Sequence, residues 1–366
     1  MDWNAFIRPQ LGPMVPYAPG LRASEVRARS GKSAIHKLSS NENPYGPFDS
    51  ALRGMGTVLP FLNRYPDGSE HALKRRLAAK LGVEERYLVV GNGSNELLTL
   101  IAQAVLGEGD EVVFAWPSFV VYPMCAQLTC ATAVKVPLTD GQVHDLGAML
   151  CAINERTKLV FLCNPNNPTG TIYSRGAFEE FLEAVPEHVL VVVDEAYFEY
   201  VTSDDRTDAL EYFDGERPIA VLRTFSKMYS LAGARIGYGI APLPLVEAID
   251  KVREPFNVSS IAQVGAFYSL DDDAEVDRRR QENQEQKSYL YSFLGRRGIA
   301  YVPSETNFIY VLTDKPVEVF EGLLAEGVIV RGFGSAPALR VGVGTPEDTD
   351  ATVAAFEAVI AKLGSI

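Results

Sequence analysis

Between about residues 70 and 240, short runs rich in β-branched residues alternate with amphipathic helical stretches, and this alternation limits the fold more than any other feature of the chain. The runs YLVV (87–90), EVVFA (111–115), AVKVP (133–137), KLVFLC (158–163), VLVVVD (189–194), IAVLRTF (219–225) and IGYGI (236–240) read as strands. EHALKRRLAAKL, SNELLTLIAQAV and RGAFEEFLEAV read as helices between them. Strands interleaved with helices imply an α/β fold, here a large domain with a mainly parallel seven-stranded sheet covered on both faces. In such sheets ligands bind beyond the carboxyl ends of the strands. The unusual motifs all fall there: GNGSNE (91–96) after YLVV, CNPNNPTG (163–170) after KLVFL, DEAY (194–197) after VLVVV, and TFSK (224–227) after IAVL.

From about residue 262 the pattern changes to a polar helical stretch, DDDAEVDRRRQENQEQKSYLYSFL, followed by strands IAYV, NFIYVL, GVIVRGF and LRVGVG and a last helix near PEDTDATVAAFEAVIAKL. This predicts a smaller α+β C-terminal domain, with the charge-dense stretch as a solvated helix face. The expected division is an N-terminal arm over 1–35, a small domain from 36–60 and 262–366, and a large domain over 61–261.

A formal charge of -13 argues against a nucleic acid or an anionic membrane as partner, because the overall field repels polyanions. An anionic ligand has to be gathered by a few local arginines. No apolar run approaches the roughly 20 residues that span a bilayer, and the first residues lack a basic region followed by an apolar one. Cys125, Cys130, Cys151 and Cys163 show neither C-x-x-C spacing nor a nearby histidine, so no metal site and no disulfide framework is expected. A cytoplasmic setting is the expectation.

GNGSNE follows a strand and opens a helix, so its backbone N–H groups and the helix dipole suit a phosphate. It departs from a dinucleotide fingerprint, since Glu96 stands in the place of the third glycine and Trp116 and Pro117, not an acid, follow the next strand. A tight turn with Ser94 or Asn95 as helix cap is the plainer alternative. Asn and Pro in CNPNNPTG are likewise good turn formers. Asp194 is harder to explain that way: at the end of a buried strand, a carboxylate needs a cation or several donors. A protonated aromatic nitrogen is such a cation, and Tyr197 lies close enough in sequence to aim its hydroxyl at the same ligand. Lys227 follows an apolar strand with no acid in TFSKMYSLAGAR to neutralise it, so desolvation favours its neutral, nucleophilic form.

The order of these residues is specific: Asn-Pro-x-Gly, Asp194 27 residues after Asn167, Lys227 33 residues after Asp194, and Arg235 eight beyond Lys227. It resembles the fold-type I pyridoxal-5′-phosphate enzymes, the aspartate aminotransferase superfamily. Within that superfamily SSNENPYGP, NRYPDG, CNPNNPTG, VVDEAYFEY, FSKMYSLAGARIGY, EPFNVSSIAQ and LRVGVGTPED are most similar to histidinol-phosphate aminotransferases and their aromatic-aminotransferase relatives. The resemblance implies that Lys227 forms the Schiff base with the cofactor and then moves the α-proton. It implies that Asp194 pairs with the pyridine nitrogen, that Asn167 and Tyr197 bond the ring's 3′ oxygen, and that Phe119 stacks on the ring. Ser94, Asn95, Ser226, Thr224 and Arg235 would hold the cofactor phosphate. Tyr65 would reach that phosphate from a neighbouring subunit, implying a homodimer with shared sites. Arg340 would bind the substrate's anionic group, with Tyr17, Asn43, Asn257 and Arg331 on the substrate side. Between Arg331 and Arg340, GFGSAPAL is shorter than the segment most family members carry there. The activity implied is ping-pong transamination between L-histidinol phosphate and 2-oxoglutarate, with aromatic amino acids as rival donors and a decarboxylase resembling threonine-phosphate decarboxylase as a further alternative.

Overall fold

In the computed structural model, which describes residues 3–366, all seven expected strands lie in one sheet. They are β1 (Leu88–Gly91), β2 (Glu111–Trp116), β3 (Thr132–Pro137), β4 (Thr157–Cys163), β5 (Leu190–Asp194), β6 (Ile219–Thr224) and β7 (Gly237–Ile240), in the spatial order β1-β7-β6-β5-β4-β2-β3. β7 alone runs antiparallel to its neighbours, so β1 and the other five strands share a direction. Their carboxyl ends therefore form one rim.

Alternation along each strand sends successive side chains to opposite faces. Val112 and Phe114 of β2 join Leu97, Ile101 and Tyr122 in one core, while Val113 and Ala115 join Leu77, Phe178 and Phe181 in the other. The helices Ser94–Val105 and Val121–Thr129 cover the first face, and His71–Leu81 and Arg175–Ala184 the second. Burial on both faces accounts for the nearly unbroken apolar runs.

A four-stranded antiparallel sheet lies in the C-terminal part, with β8 (Tyr301–Val302), β9 (Phe308–Leu312), β10 (Arg331–Gly332) and β11 (Ala338–Gly342) in the order β10-β11-β9-β8. It has its own core, built on Phe293, Leu294, Ile309, Leu323, Val341 and Phe356. The single expected strand GVIVRGF divides here: Val328–Ile329 pairs in parallel with His36–Lys37, and Arg331–Gly332 pairs with β11. Phe48 and Ala51 pack with Ala262 and Ala266 in the core beneath the large sheet.

The charge-dense stretch is helical over Asp273–Arg296, but it is not simply a solvated face. Arg279, Asn283 and Lys287 are buried. Each donates to a backbone carbonyl, Arg279 to Gly46 at 2.8 Å, Asn283 to Thr306 at 3.1 Å and Lys287 to Ser304 at 2.6 Å, and Arg279 also pairs with Glu275 at 2.6 Å. Among the described residues, no helix is long and apolar enough to cross a membrane.

Candidate active site

Asp194 is the last residue of β5 and is 3% exposed. Its Oδ2 accepts the Tyr122 hydroxyl at 2.9 Å and its Oδ1 the Ala196 amide at 3.3 Å. No arginine or lysine among the described residues forms an ion pair with it, and burial raises its pKa to about 6 even though the Tyr122 bond and the more distant Lys227 act against the shift. This is a carboxylate prepared for a cation that the chain itself does not supply.

Lys227 lies three residues past the end of β6. Its Nζ donates to the Ser40 carbonyl at 3.2 Å and stands 5.6 Å from the centre of the Tyr197 ring. Desolvation, then the nearby Arg340 cation and more weakly Arg235, push its pKa down to about 7, with Glu42 and Asp194 acting the other way. The larger of the two cationic effects thus comes from Arg340, on the small sheet. The Tyr197 hydroxyl accepts from Asn41 at 2.9 Å.

Beside these groups opens a cavity of about 670 Å³ lined by Tyr17, Phe119, Asn167, Arg331 and Arg340, among others. Arg340 is 8% exposed and donates to Asn167 Oδ1 at 2.6 Å and to the Ser39 carbonyl at 2.7 Å, while its buried Nε has no partner. Arg331 is its register partner across β10 and β11. Arg331 donates to the Ala18 carbonyl at 2.9 Å and lies 5.6 Å from the Tyr17 ring centre. Like charges set opposite each other on adjacent strands repel, and no carboxylate among the described residues bridges them. Burial, followed by the Arg331 charge, draws the Arg340 pKa below its ordinary value, although Tyr197 and Tyr17 oppose the shift.

At the other end of the rim, Gly93 at φ 85° leads into the helix that starts at Ser94. A Cβ on Gly93 would come within 2.7 Å of Arg235 Nη2, so the backbone and the guanidinium can approach only because the residue is glycine. Arg235 is exposed and donates only to carbonyls, Ala232 at 3.1 Å and Asn92 at 3.4 Å. Thr224 and Ser226, just before Lys227, are buried, and the Thr224 hydroxyl accepts the Ser226 amide at 3.1 Å. Asn95 is exposed.

Asn43, Asn257 and Tyr65, expected on the substrate and phosphate sides, do not line that cavity. Asn257 donates to Glu96 at 2.7 Å, and Asn43 to the Tyr200 hydroxyl at 3.0 Å and the Met228 carbonyl at 3.3 Å. Tyr65 is 81% exposed and stacks on Phe256 with ring centres 4.6 Å apart. Conversely, Tyr122 and Asn41 were not singled out from the sequence. Tyr122 lies three residues after Phe119 in WPSFVVY, just inside the helix Val121–Thr129, and the two rings meet edge to face with centres 5.8 Å apart. Asn41 is joined to Tyr197 only by the fold.

The residues from 33 to 356 match the family model of aminotransferase class I and II. The chain is 45% identical over 351 residues to histidinol-phosphate aminotransferase of Moorella thermoacetica, covering 94% of this chain and 91% of that protein. It is 42% identical over 348 residues to histidinol-phosphate aminotransferase of Geobacillus thermodenitrificans, covering 94% and 95%. Among solved structures, histidinol-phosphate aminotransferase from Sinorhizobium meliloti in complex with pyridoxal-5′-phosphate superposes with a TM-score of 0.89 at 27% identity, covering 98% of each chain. With that rim geometry and these matches over nearly the full length, the chain belongs to the class I and II aminotransferases.

Proposed function

We propose that this aminotransferase takes its nitrogen from L-histidinol phosphate and passes it to 2-oxoglutarate, using pyridoxal 5′-phosphate. The observation that carries the choice of donor is the facing pair Arg331 and Arg340 on one cavity wall, neither with a carboxylate partner among the described residues. A carboxylate neutralises one such cation. A phosphate dianion suits both, and each charge-assisted bond is worth roughly 1.5–3 kcal/mol. The relatives at 41–45% identity that carry the histidinol-phosphate aminotransferase name support the same reading.

The residues present fit the cofactor. Asp194 lacks a cation and suits a protonated pyridine nitrogen. Arg235, bonded only to carbonyls, suits a phosphate together with the amides of Ser94 and Asn95 at a helix start and the hydroxyl of Ser226, whereas the Thr224 hydroxyl is spent on the Ile236 carbonyl at 3.3 Å. Asn167 gives its Oδ1 to Arg340 and keeps its Nδ2 to donate, and Tyr197 accepts from Asn41 and keeps its own proton to donate. Both can therefore hold the ring's 3′ oxygen, while Phe119 covers the ring. Bound there, the cofactor provides an electron sink for the pair left when the donor's Cα–H bond breaks. Lys227 Nζ, neutral above about pH 7, takes the Cα proton. Arg340 orients the donor and, through its bond to Asn167, ties the substrate end of the cavity to the cofactor end.

The working unit is proposed to be a homodimer with shared sites. Leu52, Leu59, Phe61, Leu62, Tyr65 and Phe256 are all exposed large apolar side chains, and residues 59–65 bring four of them together in sequence. Surface of that kind marks a contact with another chain. The four cysteines stand as free thiols, in keeping with a cytoplasmic enzyme.

The test is a half-reaction. The holoenzyme, without any oxo acid, is mixed separately with L-histidinol phosphate and L-phenylalanine while the cofactor absorbance is followed. Half-saturation is expected at a concentration at least about tenfold lower for histidinol phosphate, as one extra charge-assisted bond implies. Saturation first by phenylalanine assigns the enzyme to aromatic amino acids. Release of carbon dioxide without an oxo acid assigns it to the decarboxylases.

A further inference from the structure

We propose that Gln142 is a specificity-determining residue that hydrogen-bonds the ring of the amino donor. It closes the tight loop Thr139–Val143 between β3 and the short helix at Leu146–Cys151. The Gln142 amide donates to the Thr139 carbonyl at 2.8 Å and the Thr139 amide to the Val143 carbonyl at 2.9 Å. That hydrogen-bond pattern requires a left-handed residue after the turn, a position glycine fills most easily. Here the residue is Gln142, at φ 61°, although Gly141 is its neighbour. A side chain kept at a backbone conformation that disfavours it points to a use for that side chain.

Gln142 lines the same cavity as Arg331, Arg340 and Phe119. Its backbone carbonyl is already taken by the Thr171 hydroxyl at 2.7 Å, and its amide by Thr139. What it can offer a ligand is therefore the side-chain amide, which makes no hydrogen bond to any described residue. Much of the remaining lining is apolar: Trp116, Val120, Leu312, Phe333 and Pro337. An imidazole enclosed by such walls carries one donor and one acceptor that each need a partner. An amide carries the complementary acceptor and donor. A phenyl ring gains nothing from it and leaves it unpaired, which is how one polar group separates two rings of similar size.

The proposal rests on the histidinol-phosphate reading, so the probes are L-histidinol phosphate and L-phenylalaninol phosphate, which share the phosphate and differ in the ring. Gln142→Gly and Gln142→Leu are compared with the parent holoenzyme by kcat/KM for each donor, with 2-oxoglutarate as acceptor, alongside thermal melting. The ratio of kcat/KM for histidinol phosphate to that for phenylalaninol phosphate is expected to fall about tenfold in both variants, as loss of one donor–acceptor contact implies. Gln142→Gly is expected to melt no lower than the parent, since glycine suits the left-handed position. If Gln142 served the turn alone, Gln142→Gly would keep the parent's ratio, and a ratio unchanged within twofold overturns the proposal. A parent enzyme that does not turn over histidinol phosphate at all overturns the functional reading instead, and the two failures are told apart in the same experiment.

Discussion

Lys227 reaches the Ser40 carbonyl and no carboxylate, so only a neutral acceptor holds its proton while Arg340 repels it. With its pKa lowered from 10.5 to about 7, the amine is protonated and unreactive below that pH and neutral above it. Capture of pyridoxal 5′-phosphate by the apoprotein should therefore rise about tenfold per pH unit up to pH 7 and level off beyond it, which stopped-flow absorbance between pH 5.5 and 8.5 would show. Arg340→Met removes the repelling charge and should move the bend to higher pH. A bend that stays in place would leave desolvation and the weaker Arg235 effect as the causes. Lys227, Asp194 and Arg235 were legible in the sequence because motif and strand end coincide. Arg340's hold on Lys227 was not, because the two residues meet only when the small sheet docks against the rim.

At the scale of elements, the loop CNPNNPTG is fixed from both sides. Gly170 stands at φ 78°, its carbonyl accepts the Glu305 amide at 2.8 Å, and a Cβ there would collide with the Ser304 hydroxyl. Ser304 in turn gives its carbonyl to the buried Lys287. Gly170→Ala should push the turn at 304–306 away from Asn167, destabilising the protein by about 1–3 kcal/mol and lowering kcat, because the Asn167–Arg340 bond bridges the same gap. Urea unfolding and single-turnover rates check the two effects, and an unaltered kcat would uncouple this contact from the site. The same region shows where sequence reading stops. The helix over 94–105 was legible to the residue from its apolar period, but its cap was not: the N-cap is Gly93, with no side-chain bond, in place of the expected Ser94 or Asn95. GVIVRGF read as one strand because its pattern is continuous, yet its two halves find partners in different sheets. Lys287 read as solvated because charge is visible in a sequence and the carbonyl that receives it is not, while Arg279 pairs with Glu275 on its own helix as the sequence allows and is buried by its further bond to the Gly46 carbonyl.

For the whole molecule, the exposure of Tyr65 and its stack on Phe256 make sense if a second copy covers them. The proposed dimer then places Lys227 of one protomer and Tyr65 of the other in each site, and complementation tests that arrangement directly. In that arrangement Lys227→Ala would lack the reactive amine, and Tyr65→Ala would lack the proposed contact to the cofactor phosphate. In a mixed dimer one site carries both defects and the other carries neither. Unfolding and refolding the two variants together at equal amounts should make about half of the dimers mixed, so about a quarter of all sites regain the parental set. Turnover at low cofactor, where the loss of the Tyr65 contact is felt most, should then exceed the mean of the two variants refolded separately. Activity equal to that mean would put Tyr65 in its own protomer's site or in none, and the apolar surface around it would need a different partner.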